Sequence, residues 1–366
     1  MTPSSKEGVL VALDGQGPAG SPTRVTVADI ARDAGVSIAT VSKVLNRRPD
    51  VAAETRARVN ALLAERGYVP STRTRNKARA DRPARGGLVD LVFNDPGSPW
   101  ATEVIRGAEV AARAVRASVV VSALDPAPRA RRRWLDDLAE RGSLGLVLAV
   151  SSLSPDEQAA VRRLGLPVVL MDPVGDFEST LPAMGSGNFG GGLAATQHLL
   201  DLGHRRVATI TGPMRYLSSQ ARLAGYRAAL ERAGLPVVPE LVREGDFHHA
   251  SARAASEVLL SLADPPTAVF AANDEQALGV YATAQARGLR VPEDLSVVGF
   301  DDVPMSQWVL PPLTTVQQPI RELAAIATRS LLGPAEGEGL PLRGRVELPT
   351  TLVVRGSTAP ARAAGT

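Results

Sequence analysis

Residues 25–46 read VTVADIARDAGVSIATVSKVLN, and this stretch decides the character of the N-terminal part of the chain. Thr26 suits a helix N-cap, with Asp29 three residues on as in a capping box. Val27, Ile30, Ala31 and Ala34 share one face of the helix that follows. Gly35 ends that helix and permits a sharp corner. Ser37 caps a second helix, in which Val41, Val44 and Leu45 turn inward. The spacing predicts a third helix with Val59, Leu62 and Leu63 on its core face and Gly67 closing it. The start of that helix, in DVAAE, carries no evident side-chain cap. Two short helices meeting at a glycine corner and backed by a third make a helix-turn-helix. In that motif the second helix lies in the DNA major groove with its N-terminal end at the bases.

The charge agrees with this reading. The 366-residue chain has a net charge of +3, but residues 23–85 hold 14 Arg and Lys against 6 Asp and Glu, which leaves −5 on the remainder. A compact basic segment on a mildly acidic body is the footprint of nucleic-acid binding. The outward side chains of the second helix are Ile38, Ala39, Thr40, Ser42 and Lys43. Lys43 suits guanine O6 or N7, and Ile38 or Ala39 suits a thymine methyl. Ser37, Thr40, Asn46 and Arg47 are placed for phosphates, which position without specifying. Thr26 joins the DNA-facing set.

Other chemistry is scarce. There are no cysteines, which excludes disulfides and thiolate metal sites. The four histidines, His198, His204, His248 and His249, match no metal-ligand spacing, and His204, His248 and His249 read as surface or structural residues. No metal and no cofactor are expected. The early apolar run Val9 to Leu13 is too short for a signal segment, and no stretch reaches the ~20 apolar residues of a membrane span. The expected setting is the cytoplasm.

Residues 1–22, rich in Gly, Pro and Ser, read as a disordered tail, 23–70 as the helix-turn-helix domain and 71–87 as a linker. From Leu88 the rhythm changes. Apolar runs (LVDLVF, ASVVVSAL, LGLVLAV, LPVVLMD, RRVATITG, TAVFAAND, LSVVGFDD) alternate with helical stretches. Continuous apolar strands between helices mean buried parallel sheets with crossover helices, here as two doubly wound lobes over 88–355. Ligands in such folds sit at the carboxyl ends of the strands. Polar residues recur there: Asn94 and Asp95, Ser151, Asp172, Asn273 and Asp274, Asp301 and Asp302. Residues 356–366 read as a second disordered tail, with no leucine heptad of the kind that would hold a tetramer.

VTVADIARDAGVSIATVSKVLN, ETRARV and YVP, followed by QHLLDLGHRRVATITG, SSQARLAGYRAAL, AANDEQALGVYATAQARGLRVPEDLSVVGFDD and PPLTTVQQP, resemble the lactose-repressor and galactose-repressor (LacI/GalR) family. The resemblance spans residues 24 to about 354. It implies an all-α head on a two-lobed α/β core resembling periplasmic sugar-binding proteins, with lobe crossovers near 186–192 and 315–320. It also implies a homodimer on pseudo-palindromic operator DNA, and a small effector, a sugar, between the lobes that changes DNA affinity. By matching motifs, Arg222 resembles the family's arginine for effector hydroxyls or a carboxylate, and Asn273 and Asp301 its hydrogen-bonding pair. Phe247 stands where the family often has a stacking aromatic. Trp100 is a second platform, Gln317 lies near a crossover, and Asp95, Ser98 and Ser151 complete the candidates. Arg222 also suits a helix-surface charge, Asn273 and Asp301 suit helix caps, and Phe247 and Trp100 suit core aromatics.

Two departures stand out. Residues 186–192 read SGNFGGG, where many relatives carry Asp-Asn before the helix. In relatives a hinge-helix leucine wedges into the minor groove; aligned from Tyr68 and Pro70, that position is Lys77, among Arg73, Arg75 and Arg79. A hinge of this kind is expected to grip a narrow groove electrostatically and to bend DNA less. An activator, or a regulator responding to a purine or another metabolite, is open on the same fold. A pure solute-binding protein is opposed by the basic head. An enzyme is opposed by the lack of a nucleophile elbow, a P-loop or a metal triad.

Overall fold

A computed structural model describes residues 26–45, 51–66, 87–125, 127–149, 153–173, 181–332 and 344–362. The chain divides into two units, 1–83 and 84–366. The tail at 1–22, Gly67 and the linker from 71 to 86 lie outside the described residues.

In the first unit, α1 (Val27–Ala34) opens with the capping box of Thr26 and Asp29. It ends at Gly35, whose φ of 65° is the left-handed turn that a residue with a Cβ resists. The amide of Thr40 donates to Ser37 Oγ at 3.1 Å, which starts α2 (Ile38–Leu45). No side chain caps α3 (Ala53–Glu65). Ile30, Ala31, Ala34, Val41, Val44 and Val59 form the buried centre, and Val27, Leu45, Leu62 and Leu63 pack around it. Arg66 binds Asp33 at 2.6 Å, tying the end of α3 to α1.

The second unit holds two six-stranded sheets. The strands of the first lobe are β1 (Leu88–Phe93), β2 (Ser118–Ala123), β3 (Gly145–Ala149), β4 (Val168–Met171), β5 (Ala183–Ser186) and, much later, β11 (Arg345–Leu348). All are parallel, in the order β11-β5-β4-β3-β1-β2. The second lobe has β6 (Val207–Thr211), β7 (Val242–Glu244), β8 (Ala268–Ala271), β9 (Ser296–Asp301), β10 (Thr314–Gln317) and β12 (Thr351–Val353). Its order is β12-β10-β9-β8-β6-β7, with β12 alone antiparallel.

Burial on both faces explains the continuous apolar strands. Leu91, Val147 and Val169 face α4 (Pro99–Ala114) and α11 (Ile320–Leu332). Val92, Leu146 and Leu170 face α5 (Pro128–Arg141) and α6 (Pro155–Leu164). Asp90 breaks the run in β1 and is fully buried; Arg141 Nη2 reaches it at 2.7 Å, Ser143 donates a second bond, and burial holds its carboxyl above the usual range. In the second lobe, α7 (Asn188–Asp201) and α8 (Leu217–Arg232) pack on one side, and α9 (His249–Leu259) and α10 (Asp274–Ala286) on the other.

The chain passes between the lobes three times: after β5 into α7, after β10 into α11, and between β11 and β12. The third passage leaves no mark in the apolar pattern, because these closing strands are three or four half-exposed residues long.

The segment from Gly356 to Arg362 is not a disordered tail. Ser357 is fully buried; its Oγ accepts from the Thr314 amide at 2.8 Å and donates to the Val297 carbonyl at 2.6 Å. The Val297 amide returns a bond to the Ser357 carbonyl, and the Ala361 amide reaches Leu202. His204, buried by the same segment, bonds Ala359 and Ser296. Backbone pairing rather than apolar burial holds this stretch, so its composition gave no sign of order.

Candidate functional site

On the first unit, α2 shows an outer face. Ile38 is 57% exposed, Ala39 and Lys43 are exposed, and Thr40 and Ser42 are half-buried. Ser37 and Thr40 share a hydroxyl–hydroxyl bond of 2.9 Å beside the helix start. Thr26 is engaged in the capping box: its amide and its hydroxyl both donate to Asp29 Oδ2, at 3.0 and 2.6 Å. Asn46, Arg47, Arg73, Arg75 and Lys77 lie outside the described residues.

On the second unit, a cavity of about 130 Å³ opens between the two lobes at the carboxyl ends of the strands. Asp95, Ser98 and Trp100 enter it from the first lobe and Arg222, Phe247, Asn273 and Asp301 from the second. Ser151 lies outside the described residues. Gln317 does not line the cavity: it is exposed and donates to Asp302 at 2.9 Å. Its neighbour Gln318, buried, is the one that joins the site, since successive residues in extended chain point to opposite sides.

Arg222 forms the floor. Its Nε donates to Asn188 Oδ1 at 2.8 Å and its Nη1 to the Ala272 carbonyl, and Nη1 lies 3.7 Å from Asp301. The guanidinium sits 3.8 Å over the Phe300 ring. Arg222 is therefore a buried, built-in cation, not a helix-surface charge. Asp301 accepts from Gln318 at 2.5 Å, and Gln318 accepts from Ser186 at 2.5 Å. Burial pushes Asp301 up to about 7, against the pull of Arg222 and Gln318, and holds Asp172 above the carboxylate range. Below them Asp274, fully buried, takes bonds from Thr315 and from the Val303 amide; burial and Asp301 raise it well above the usual value.

The walls are aromatic and acidic. Phe247 leans on Tyr216 with ring centroids 5.7 Å apart. Asn273 caps α10 through the Gln276 amide at 2.8 Å and also holds the Phe247 carbonyl at 3.0 Å. Its helix-cap reading is thus true, alongside its place on the cavity wall. Asp172, Phe247 and Asp301 line the cavity with φ of 43°, 76° and 108°, and Asp302 follows at 55°. Left-handed backbone at non-glycine residues costs of order 1–3 kcal/mol each and clusters where binding needs a fixed shape.

The cavity also takes in residues that no motif marks. Asn94 and Asp172 carried a signal, as polar residues ending strands. Tyr216, Ser218, Asp246 and Glu275 carried none: Tyr216 and Asp246 lie in the loops after β6 and β7, and Ser218 and Glu275 in the first turns of α8 and α10. His248, read as a surface or structural residue, lines the cavity mouth. Even with Asp172 and Asp301 held toward their neutral forms, Asp95, Asp246 and Glu275 outnumber the one arginine, so the lining has no excess of positive charge to draw in an anion and suits an uncharged, hydroxyl-rich molecule. Among the described residues no group of acidic or histidine side chains is arranged to hold a metal, and no helix is long and apolar enough to cross a membrane.

Residues 26–71 match the bacterial regulatory proteins of the lacI family, and residues 196–358 match the periplasmic binding protein-like domain. The chain is 34% identical over 336 residues to the HTH-type transcriptional repressor CytR of Escherichia coli (strain K12), covering 92% of this chain and 97% of that one. It is 34% identical over 333 residues to the ribose operon repressor of the same organism, covering 91% and 99%. Among solved structures, a complex of the transcriptional regulator CelR with cellobiose superposes with a TM-score of 0.68 at 34% identity, over 91% of this chain and all of that one. The lac repressor dimer bound to operator and the anti-inducer ONPF superposes with a TM-score of 0.65 at 30% identity, over 92% of this chain and all of that one.

Proposed function

Since the chain belongs to the lacI family of bacterial regulatory proteins, we propose that it is a cytoplasmic homodimeric repressor that acts by binding alone, without turnover. Its α2 reads a pseudo-palindromic operator through Ile38, Ala39 and Lys43, while Ser37, Thr40, Asn46 and Arg47 position the head on the phosphates. Its interlobe cavity takes an uncharged sugar-like effector that changes operator affinity. The single observation carrying the effector half is the Arg222–Asp301 floor, a buried ion pair under an aromatic wall. Hydroxyls pair with both partners, and the apolar face of a sugar ring stacks on Phe247 or Trp100.

The experiment is selection of duplexes from a random library by the purified protein, followed by titration of the selected site with a panel of neutral sugars, sugar phosphates and nucleosides. A two-fold-symmetric site whose binding shifts with a neutral sugar is the expected result. A purine or nucleoside response would move the effector class while keeping the fold. Absence of enrichment at any salt would overturn the repressor reading, and consumption of a sugar by the protein alone would overturn action without turnover. The centre of the selected site tests the hinge. Lys77 among Arg73 and Arg75 offers no apolar wedge, so an A/T-rich or indifferent centre with little bending is expected.

A further inference from the structure

His248 stands at the mouth of the interlobe cavity, just before α9. Its Nδ1 lies 3.3 Å from Glu275 Oε1 on its own lobe. Its Nε2 lies 3.9 Å from Asp95 Oδ2, which belongs to the loop after β1 on the opposite lobe. A carboxylate only accepts hydrogen bonds, and a neutral imidazole has one N–H. With Glu275 at hydrogen-bond distance from one nitrogen and Asp95 at ion-pair distance from the other, the ring attracts both carboxylates only as the imidazolium.

Both ends of this contact are held by their own backbones. The His248 amide donates to Asp246 Oδ1 at 2.9 Å, and Asp246 is held in turn by Ser251. The His249 amide donates to Glu275 at 3.1 Å, fixing the carboxylate behind the ring. Phe247, in the left-handed region, turns the chain so that its own ring and the next residue's ring both reach the cavity. On the facing lobe, the Gly97 amide holds Asp95 Oδ1 at 3.0 Å, leaving Oδ2 toward His248.

We propose that His248 is a positioning residue that clasps the two lobes across the cavity mouth, bridging Glu275 and Asp95 when its ring is protonated. The clasp favours the closed cleft while the ring carries both protons and releases it when the second proton is lost; histidine is the side chain whose charge state a change of pH across the neutral range can alter. For a half-exposed pair the closed-to-open ratio shifts about two- to fivefold. The charged and titratable groups around the ring are Asp95 from the first lobe, Glu275 from α10, Asp246 and His249 from its own segment, and Asp172, Arg222 and Asp301 deeper in the cavity. Asp301 and Asp172, both raised by burial, are further sources of pH dependence, so the test must isolate the ring.

The absence of native cysteines makes two introduced thiols unique labels. Asp137→Cys in the first lobe and Ala254→Cys in the second, both exposed, carry spin labels in full-length chain diluted with excess unlabelled protein. The interlobe distance distribution is measured at about pH 6 and about pH 8.5, either side of the histidine range, without any sugar. The expected result is a short-distance population two to five times more favoured at the lower pH, with that response lost in His248→Gln and in Asp95→Asn. A wild-type distribution that ignores pH overturns the clasp. So does a His248→Gln protein that keeps the full pH response, because the response would then belong to Asp301 or its neighbours. The inference depends on the effector reading only for the cavity's occupant, and closure is read with the cavity empty of sugar. Failure of the clasp and failure of the effector assignment are therefore separately visible.

Discussion

Gly192 lies on α7 where that helix crosses α8, directly over the backbone of Arg222. A methyl group added at Gly192 would sit 2.3 Å from the Arg222 carbonyl oxygen, 2.9 Å from its Cα and 3.0 Å from its carbonyl carbon. Ordinary contact begins at 3.4 Å, so the helices must part by about 1 Å, and the obstacle is backbone that cannot swing aside. Moving Arg222 by that much stretches its 2.8 Å bond to Asn188 past hydrogen-bonding range and loosens its approach to Asp301. Overpacking of this kind costs about 1–3 kcal/mol, a fall in melting temperature of roughly 2–8 °C for a unit this large. Gly190, two residues away in the same helix, meets nothing within 4 Å. Gly190→Ala is therefore neutral or stabilising, by up to about 1 kcal/mol, because it removes backbone freedom from a helix. All three tryptophans, Trp100, Trp134 and Trp308, lie in the second unit, so their fluorescence during urea or thermal unfolding reports that unit alone. Gly192→Ala melting with or above the wild type, or the two alanine variants behaving alike, would refute the account of a crossing set by backbone contact.

Lys43→Ala is expected to weaken binding to the selected operator about 5- to 150-fold and to relax one symmetric pair of base positions, the signature of a base contact. A uniform loss across sequences, with the salt slope reduced by about one, would reassign Lys43 to the phosphates. Asp301 holds its proton up to about 7 in the folded chain and to roughly 4 when unfolded, so it stabilises the protein at low pH, and that contribution is lost as pH rises through about 7. The loss is of order 4 kcal/mol between those limits; urea midpoints at several pH values should show it, and an unchanged slope in Asp301→Asn would exclude Asp301 as its source. Ending the chain after Arg355 removes the bonds of Ser357, Ala359 and Ala361 and should cost several kcal/mol, at about 1 kcal/mol per lost bond; tryptophan-detected melting unchanged by the truncation would show that the segment contributes nothing.

The parts legible in the sequence were those where one periodicity served one surface. Ile30, Val41 and Val59 repeat at helical spacing and meet in one core. Leu91 and Val92 are both apolar because the sheet is buried on both faces. Elements that rest on hydrogen bonds left no such trace. Ala183–Ser186, reading AMGS, forms β5 without a β-branched residue because its neighbours supply both ladders. The C-terminal segment is ordered through Ser357 for the same reason. In the cavity, motifs located Arg222, Asn273 and Asp301, but sequence spacing alone could not choose between Gln317 and Gln318, where one step along the chain turns the side chain to the other side. His248 escaped because its meaning lies in Asp95, more than 150 positions earlier in the chain and on the other lobe.

The floor of the cavity is built from the residues by which the chain changes lobe. Asn188, which holds Arg222, begins α7 directly after the first crossing. Gln318, which holds Asp301, follows β10 at the second, and its other bond goes to Ser186 at the end of β5 in the opposite lobe. A ligand hydroxyl that pairs with Asp301 therefore competes directly with Gln318, whose other bond reaches the opposite lobe. Such a ligand has a different affinity for each lobe arrangement, and that difference is the whole of what it can exert on a conformational equilibrium. If operator affinity differs between the same two arrangements, linkage requires the operator to change effector affinity by the same factor. Substituting Gln318 by Glu, which places a third carboxylate beside Asp301, should then disturb the coupling more than it disturbs binding of either partner alone.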